Sequence, residues 1–362
     1  MKIAFLLSDI TNIGGIERVT TMLATEFSKY QDVEVDIISL FRGREKINYP
    51  IPNTINNIYI TKKPNARKPH SILRIVSLLK NVKYIKNHFD THQYDYIIAQ
   101  SFPIVFILSL CKKDLSNVFA VEHVHCRYYN KLIEYVRNKV YSRVKNIVVL
   151  TKSDKYFFDL YFSSDKTIII PNPCDIVVKH KSKLLNKSII SIGRLEYQKG
   201  YDTLIKVFKR INKEYPDWCL NIYGDGSLRN KLYTQIMQNN LSEVIKLCGT
   251  TNDINGHLRE SSFYVMSSRF EGFGMVLVEA LSQGVPCVSF NCPNGPSDII
   301  QNYKNGILVE DQNEKALYDA IKYMIEHPEE RKIMGEYAVN SIDKFSTQYI
   351  VPMWINLFSN NM

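Results

Sequence analysis

The chain alternates short apolar runs with stretches that repeat apolar residues at helical spacing, and this alternation constrains its fold most strongly. Residues 2–8 form a continuous apolar run, which is typical of a strand buried on both faces. Residues 16–27 place apolar side chains three and four positions apart, which predicts a helix, and residues 33–40 predict the next strand. Strand, helix and strand in this order indicate a parallel sheet of the α/β class.

A second series of the same kind begins after an extended segment with prolines at 171 and 173. Because 362 residues exceed what one hydrophobic core usually holds, we expect two domains, with the boundary at 172/173. Parallel sheets bind ligands at the carboxyl ends of their strands. Two such Rossmann-like domains are therefore expected to face each other across a cleft.

The net charge of +10 lies in one half of the chain. Residues 1–172 hold 25 Lys+Arg against 15 Asp+Glu, whereas residues 173–362 hold 21 of each. Within the first half, residues 62–145 hold 16 basic against 5 acidic side chains, and residues 71–86 predict an amphipathic helix with a basic face. This asymmetry indicates a localised polyanionic partner, which is an anionic membrane surface, a lipid diphosphate or a nucleic acid.

Cysteine usage and hydropathy exclude several classes of protein. The seven cysteines are scattered without a C-x-x-C pair, which argues against a disulfide framework and a zinc site and favours a reducing cytoplasm. Residues 1–9 are too short and too soon acidic for a signal peptide. The most apolar run, at 96–111, is too short and too polar for a membrane span.

Three loops of the second series carry residues suited to a nucleotide sugar. Residues 193–200 place Arg194 and Lys199 on a tight loop, and two cations there can neutralise a diphosphate. The loop at 224–226 has two glycines, which permit close approach of a ligand. Residues 268–286 run from a glycine-broken loop into a helix, with Glu271 on the loop and Glu279 in the helix. A helix N-terminus binds anions, and carboxylates accept hydrogen bonds from hydroxyl groups. Any one of these loops is also compatible with an ordinary strand-to-helix connection.

In their joint order and spacing these motifs resemble the retaining family-4 glycosyltransferases of the GT-B fold, and specifically the branch that makes bacterial capsule, exopolysaccharide or lipopolysaccharide. The resemblance covers nearly the whole chain. The matching motifs are GGIER at 14–18, SIGRLEYQKG at 191–200, IYGDG at 222–226, SSRFEGFGMVLVEA at 267–280, NGPSD at 294–298 and NGILV at 305–309. It implies an acceptor-binding domain at 1–172 plus a C-terminal helix at about 346–362, and a donor-binding domain at 173–345.

The resemblance also implies roles for individual residues of the second domain. Arg194 and Lys199 would hold the donor diphosphate, and Glu271 would bind hydroxyl groups of the sugar. Glu279 would bind the ribose. The remaining donor-binding positions implied there are Gly224, Cys248, Phe273, Gly274, Met275 and Val276.

In the first domain the resemblance implies a phosphate-covering loop at Gly14 and Gly15, and a catalytic histidine, His123, which faces the reacting sugar. A structural role for His123 remains an alternative. No Asp-x-Asp motif is present, so we expect no metal and no other cofactor. Because no carboxylate of the first domain suggests itself as a nucleophile, we expect front-face attack, in which the leaving phosphate accepts the acceptor's proton, rather than double displacement.

The expected substrates are a nucleotide diphosphate sugar, with UDP as the nucleotide, and a lipid-diphosphate-linked or oligosaccharide acceptor. The protein is then expected in the cytoplasm, peripherally on the inner face of the membrane through residues 62–145, without nucleic acid as a partner. Two alternatives remain open: a nucleotide-sugar epimerase of the same fold, and a non-catalytic module that binds membranes or polyanions.

Overall fold

A computed structural model describes residues 1–64, 77–174 and 181–359 of the chain. The chain divides into two compact units, of which the second is Ile176–Ser346. The first unit combines Met1–Asp175 with the C-terminal segment Thr347–Met362.

The first unit is built on a seven-stranded parallel sheet with the order β3-β2-β1-β4-β5-β6-β7. All five residues from Ile3 to Leu7 are buried, as a strand covered on both faces requires. The two short strands β3 and β7 were not predicted. The strands are β1 (Lys2–Leu7), β2 (Glu34–Ser39), β3 (Asn56–Tyr59), β4 (Tyr96–Gln100), β5 (Val118–Val121), β6 (Asn146–Val149) and β7 (Thr167–Ile169).

Helices that connect these strands bury one side against the sheet. In the first of them, Val19, Leu23 and Phe27 recur at helical spacing and are buried, as the periodicity predicts. The helices are α1 (Gly15–Phe27), α2 (Val82–Thr91), α3 (Phe102–Cys111), α4 (Lys131–Tyr141) and α5 (Lys152–Asp159).

The second unit has a six-stranded parallel sheet with the order β10-β9-β8-β11-β12-β13. Its buried core contains Phe208, Ile222, Phe263 and Met324, contributed by both strands and helices. The strands are β8 (Ser188–Ile192), β9 (Cys219–Tyr223), β10 (Ile245–Gly249), β11 (Phe263–Met266), β12 (Cys287–Phe290) and β13 (Gly306–Val309). The helices are α6 (Tyr201–Glu214), α7 (Arg229–Gln238), α8 (Ile254–Arg259), α9 (Met275–Ser282), α10 (Pro296–Ile299), α11 (Glu314–Glu326) and α12 (Pro328–Ser341).

The last helix, α13 (Thr347–Ser359), packs in the first unit although it follows the second in sequence. Phe358 stacks on Tyr96 with ring centroids 4.7 Å apart and meets Phe27 edge-on at 5.8 Å. The hydroxyl of Tyr96 donates a hydrogen bond to the carbonyl of Phe358 at 3.1 Å. These contacts hold the last helix against both β4 and α1.

Two stretches interpreted from the sequence, at 96–111 and 71–86, lead into helices whose bounds the sequence did not predict. The apolar run at 96–111 is strand β4 followed by helix α3, and the backbone turns between them at Ser101, which has φ = 97°. The basic helix predicted at 71–86 lies partly outside the described residues, and the described helix α2 continues beyond it to Thr91. Among the helices that the structure describes, none combines the length and the apolar composition needed to cross a bilayer.

In each sheet the strand order reverses between two neighbours, β1 and β4 in the first and β8 and β11 in the second. Ligands of open α/β sheets bind beside such a reversal, at the carboxyl ends of the strands. The loop after β1 contains Gly14, and the loops after β8 and β11 contain Lys199 and Glu271. The topology therefore places Gly14, Lys199 and Glu271 at the carboxyl ends of the strands of their sheets.

Candidate active site

The loop after β11 becomes helix α9 through a left-handed residue, Gly274, with φ = 95°. A side chain at this φ would strain the backbone, so glycine is needed for the turn. Just before it, Phe273 is buried and meets Phe345 edge-on at 5.4 Å, which anchors the loop. The helix then begins with Met275 and Val276, both partly exposed. In the first turn of α9 the N–H of Leu277 donates to the carbonyl of Gly274 at 2.9 Å, whereas the N–H groups of Met275 and Val276 precede the first hydrogen bond of the helix and can bind an anion.

Glu271 lies within this loop and is paired with Lys199 from the loop after β8. The Nζ of Lys199 is 2.6 Å from Oε1 of Glu271, and the two side chains are only 15% and 7% exposed. The hydroxyl of Ser268 donates to the same oxygen at 2.5 Å. Both donors act on Oε1, so they orient the carboxylate and leave Oε2 as the position for another donor. Ser268 was missed from the sequence, although it stands three residues before Glu271 in the matched motif.

The other cation of this loop, Arg194, is exposed and makes a hydrogen bond to Oε1 of Gln198 at 3.3 Å. Lys199 ends a short 3-10 turn, Tyr197–Lys199, which brings it back toward the start of the loop. A Cβ atom at Gly193 would lie 3.0 Å from the Lys199 side chain. The structure thus places both cations on one tight loop.

Gly224, at the end of β9, packs directly against this loop. Its φ is 135°, and a Cβ atom there would lie 2.0 Å from the carbonyl oxygen of Gly193. The adjacent backbones are joined by a hydrogen bond from the Gly193 N–H to the carbonyl of Tyr223 at 2.9 Å. The contact between the two loops therefore requires glycine at 224. This reason is structural, whereas the sequence analysis explained the glycine by close approach of a ligand.

Cys248 and Glu279, also predicted to bind the donor, lie in different surroundings. Cys248 is exposed near the end of edge strand β10, and partial burial still raises the pKa of its thiol, which therefore stays protonated at neutral pH. Nearby, the ring of Tyr223 stacks on His257 at 4.3 Å. Glu279 is only 4% exposed, in the second turn of α9.

In the first unit, the predicted glycines begin helix α1. Gly14 is extended, with φ = −166°, and Gly15 is the first helical residue. A Cβ atom at Gly15 would have no atom within 4 Å, so open space lies on that side. The nearest atom to a Cβ at Gly14 would be the Glu17 carboxylate, which is the mobile end of a side chain.

His123 follows β5 and is held by Gln100, which ends the neighbouring strand β4. The Nε2 of His123 makes a short hydrogen bond with Oε1 of Gln100, which corresponds to the tautomer protonated at Nε2. Burial lowers the pKa of His123 to about 4, so the imidazole is neutral at physiological pH. Gln100 was missed from the sequence. It could have been found as the polar residue that ends the adjacent buried strand.

The residue before His123 points into a separate buried network. Glu122 accepts a hydrogen bond from the hydroxyl of Tyr141 at 2.5 Å, and burial raises the pKa of its carboxyl group to about 7. Further along the loop, Cys126 is held by two side chains from helices. Its carbonyl accepts a hydrogen bond from Arg137 at 3.0 Å, and its N–H donates to Asp154 at 3.2 Å. The segment that carries His123 is therefore held at both ends by buried polar groups.

The structure thus brings together, within the second unit, Lys199 and Glu271 by direct contact, with Arg194 on the same loop and Gly224 against it. His123, Gly14 and Gly15 belong to the first unit. In the described ranges, no three His, Cys, Asp or Glu side chains converge in a way that could hold a metal ion.

Two family models match the chain and together span most of it. Residues 13–177 match Glycosyltransferase Family 4, and residues 175–341 match Glycosyl transferases group 1. An uncharacterized glycosyltransferase of Haemophilus influenzae is 28% identical, with 98% of each chain covered. The amylovoran biosynthesis glycosyltransferase AmsD of Erwinia amylovora is 25% identical over 99% of each chain.

The fold is shared with solved structures. The crystal structure of a mutant of Staphylococcus aureus TarM, in complex with fondaparinux, alpha-GlcNAc-glycerol and UDP, superposes with a TM-score of 0.80. The alignment covers 99% of both chains at 20% identity. The fold and the two family models lead to the same assignment, since both indicate two Rossmann-like domains of a glycosyltransferase. The chain belongs to the family-4 glycosyltransferases, which have the GT-B fold.

Proposed function

We propose that this glycosyltransferase moves a hexose or N-acetylhexosamine from a UDP-sugar to a lipid-linked or growing saccharide, with retention at the anomeric carbon, in the biosynthesis of a surface polysaccharide. The observation that carries the proposal is the Lys199–Glu271 pair at the start of α9, since it combines a phosphate-binding cation with a hydroxyl-binding carboxylate. The relatives support the pathway, because AmsD is an amylovoran biosynthesis glycosyltransferase and a further relative, 24% identical, is an exopolysaccharide phosphotransferase of Streptomyces coelicolor. UDP in the TarM complex supports the choice of nucleotide.

In the proposed reaction, the bond between the anomeric carbon and the diphosphate oxygen breaks while the acceptor oxygen bonds to the same face of the sugar. The acceptor's proton passes to the leaving phosphate oxygen. Negative charge grows on the diphosphate, and Arg194, Lys199 and the first-turn amides of α9 stabilise it electrostatically. We assign no step to a metal ion.

Other residues of the second unit bind the donor in this proposal. Glu271 accepts hydrogen bonds from sugar hydroxyls through Oε2, and Glu279 binds the ribose. Cys248 borders the base. For the first unit we assign phosphate contacts to Gly14 and Gly15, a sugar contact to His123, and binding of the acceptor.

The test is a mass-spectrometric screen of UDP-sugars for slow hydrolysis by the purified protein, with and without EDTA. Release of UDP and free sugar from one donor, unchanged by EDTA, supports a metal-independent transferase. Proton NMR of the initial product distinguishes retention from inversion. The competing proposal is a nucleotide-sugar epimerase, which would convert the donor into an epimeric UDP-sugar without releasing UDP. No turnover of any nucleotide sugar would leave only a binding module.

The proposal also places the protein in the cytoplasm, at the inner face of the membrane, because a lipid-diphosphate acceptor lies there and the positive charge is confined to the first half of the chain. Cosedimentation with anionic vesicles at low salt tests this part. Absence of binding at roughly 20–50 mM salt, where surface electrostatics are strong, would contradict it.

A further inference from the structure

Helix α4 has apolar side chains on two opposite faces, of which only one is covered. Its inner face buries Val140 and Tyr141. On the outer face, Leu132 is 73% exposed and Tyr135 is 58% exposed. Tyr128, in the loop that precedes the helix, is also 40% exposed. The outward face of an ordinary surface helix is polar, so the exposure of Leu132 and Tyr135 requires an explanation.

The segment after α5 contacts a different side of α4. Tyr161, which is 52% exposed, hydrogen-bonds to Glu134 of α4, and this bond raises the pKa of its phenol. Tyr161 also contacts Phe157 at 5.4 Å, over which the guanidinium of Arg127 lies at 6.0 Å. We call Leu132 and Tyr135, which are exposed on one side of α4, the α4 apolar surface.

Basic side chains surround the α4 apolar surface. Lys131 and Lys139 are exposed on the same side of α4, and Nζ of Lys139 lies 4.6 Å from the centre of the Tyr135 ring. Residues 127–145 hold six Lys+Arg against one Glu, a net charge of +5. A flat anionic surface with an apolar layer beneath it matches this combination of cations with Tyr and Leu, since tyrosine sits at headgroup level and leucine enters the acyl region.

We propose that the α4 apolar surface inserts into the headgroup and acyl boundary of an anionic bilayer. This inference deepens the proposed function, on which its biological sense rests, by naming the side chains that enter the membrane. Such insertion differs from electrostatic attraction alone, because binding through apolar contacts persists when the salt concentration is raised.

The test uses tryptophan as a depth probe, because both native tryptophans are buried: Trp218 is 5% and Trp354 is 2% exposed. Tyr135→Trp is compared with Tyr233→Trp on α7 of the second unit, where the native tyrosine is also 58% exposed. Each variant is mixed with phosphatidylglycerol vesicles that contain brominated lipid. We expect blue-shifted emission that is quenched by bromine for Tyr135→Trp only. Equal responses, or none in either variant, would overturn the proposal.

Measurements of how strongly the protein partitions onto vesicles distinguish apolar insertion from electrostatic attraction. Leu132→Gln with Tyr135→Gln should weaken binding to phosphatidylglycerol vesicles about tenfold, at both low and moderate salt. Lys131→Gln with Lys139→Gln should weaken it by about fivefold per charge at low salt and less at high salt. An unchanged melting temperature verifies the fold of each variant.

Two other results would count against the proposal. One is binding of the apolar double variant equal to that of the wild type, and the other is self-association in sedimentation that this variant abolishes while vesicles stay unbound. Hydrolysis of the donor without vesicles is measured in parallel. A wild-type protein that hydrolyses the donor but does not bind the vesicles overturns only this inference, whereas one that inserts into vesicles but hydrolyses no donor overturns only the proposed transferase reaction.

Discussion

Lys199 Nζ and Glu271 Oε1 are 2.6 Å apart although 72 residues separate them in the chain. The loops after β8 and β11 bring them together, because these strands are neighbours in the second sheet. The pair keeps two charged groups satisfied in a largely buried position before any ligand binds. If the donor diphosphate binds here as proposed, it meets a cation whose position is already determined, which lowers the cost of organising the site.

Replacing either member should therefore damage catalysis strongly. We expect Lys199→Ala and Glu271→Ala each to lower kcat/KM on the order of 100-fold or more, with the donor identified by the hydrolysis screen. Because the residues touch, the double variant should lose less than the product of the two single losses. Lys206→Ala is the matched control, since Lys206 forms an exposed pair with Glu314 at 3.5 Å in the same unit. Wild-type rates in both site variants would contradict the assignment.

Ser268→Ala tests whether orientation of Glu271 matters beyond its charge. The lost hydrogen bond to a charged oxygen is worth about 1.5–3 kcal/mol, so kcat/KM should fall roughly 10- to 100-fold. Ser268→Thr, which keeps the hydroxyl, should recover part of the activity. Steady-state kinetics with the same donor measures both. Equal activity of the alanine variant and the wild type would show that Lys199 alone orients the carboxylate.

The alternation of strands and helices was predictable because buried parallel strands and amphipathic helices have different periods. Helix α3 was not predicted, since it is apolar on all sides and lacks a polar face to set its period. Such sequence patterns also do not predict the order of the strands in each sheet, because strand pairing depends on contacts between residues that are distant in the chain. For the same reason the sequence identified Lys199 and Glu271 separately and could not show that they form a pair.

The surroundings of His123 could not be predicted either, since Gln100 reaches it from the neighbouring strand of the sheet. The pKa of His123, about 4, leaves the imidazole neutral from about pH 5 upward. We expect the wild-type pH profile of kcat/KM to show no ionisation of His123 between roughly pH 5 and 8. Gln100→Glu places a carboxylate on Nε2 and should raise this pKa by about 1–3 units, so that a new ionisation enters the profile. A histidine ionisation near its ordinary value of about 6.5 in the wild type would contradict the buried tautomer.

Glu122 should make the stability of the protein depend on pH. Its folded-state pKa of about 7 lies above the ordinary value of 4.5, so the stability it contributes is present below pH 4.5 and is lost as the pH rises through 7. Glu122→Gln should be more stable than the wild type at about pH 8, by up to about 3 kcal/mol, and differ little at about pH 4.5. Glu336→Gln, at an exposed position of α12, serves as the control. Urea unfolding at both pH values measures the effect, and equal stability of Glu122→Gln and the wild type at the higher pH would show that the carboxylate is well compensated.

Gly224 is a glycine that the fold requires, whereas Gly15 is one that only a bound ligand would require. Gly224→Ala adds a Cβ atom at φ = 135°, 2.0 Å from the carbonyl oxygen of Gly193, so we expect it to destabilise the protein by at least about 2 kcal/mol. Gly15→Ala meets no atom within 4 Å and starts a helix, so the melting temperature should stay the same or rise. If Gly15 contacts the donor phosphates as proposed, that variant should still raise the donor KM at least about tenfold, because the added methyl group occupies the space through which the phosphate approaches. Thermal unfolding and steady-state kinetics on both variants distinguish the two roles, and an unchanged KM in Gly15→Ala would remove Gly15 from the donor site.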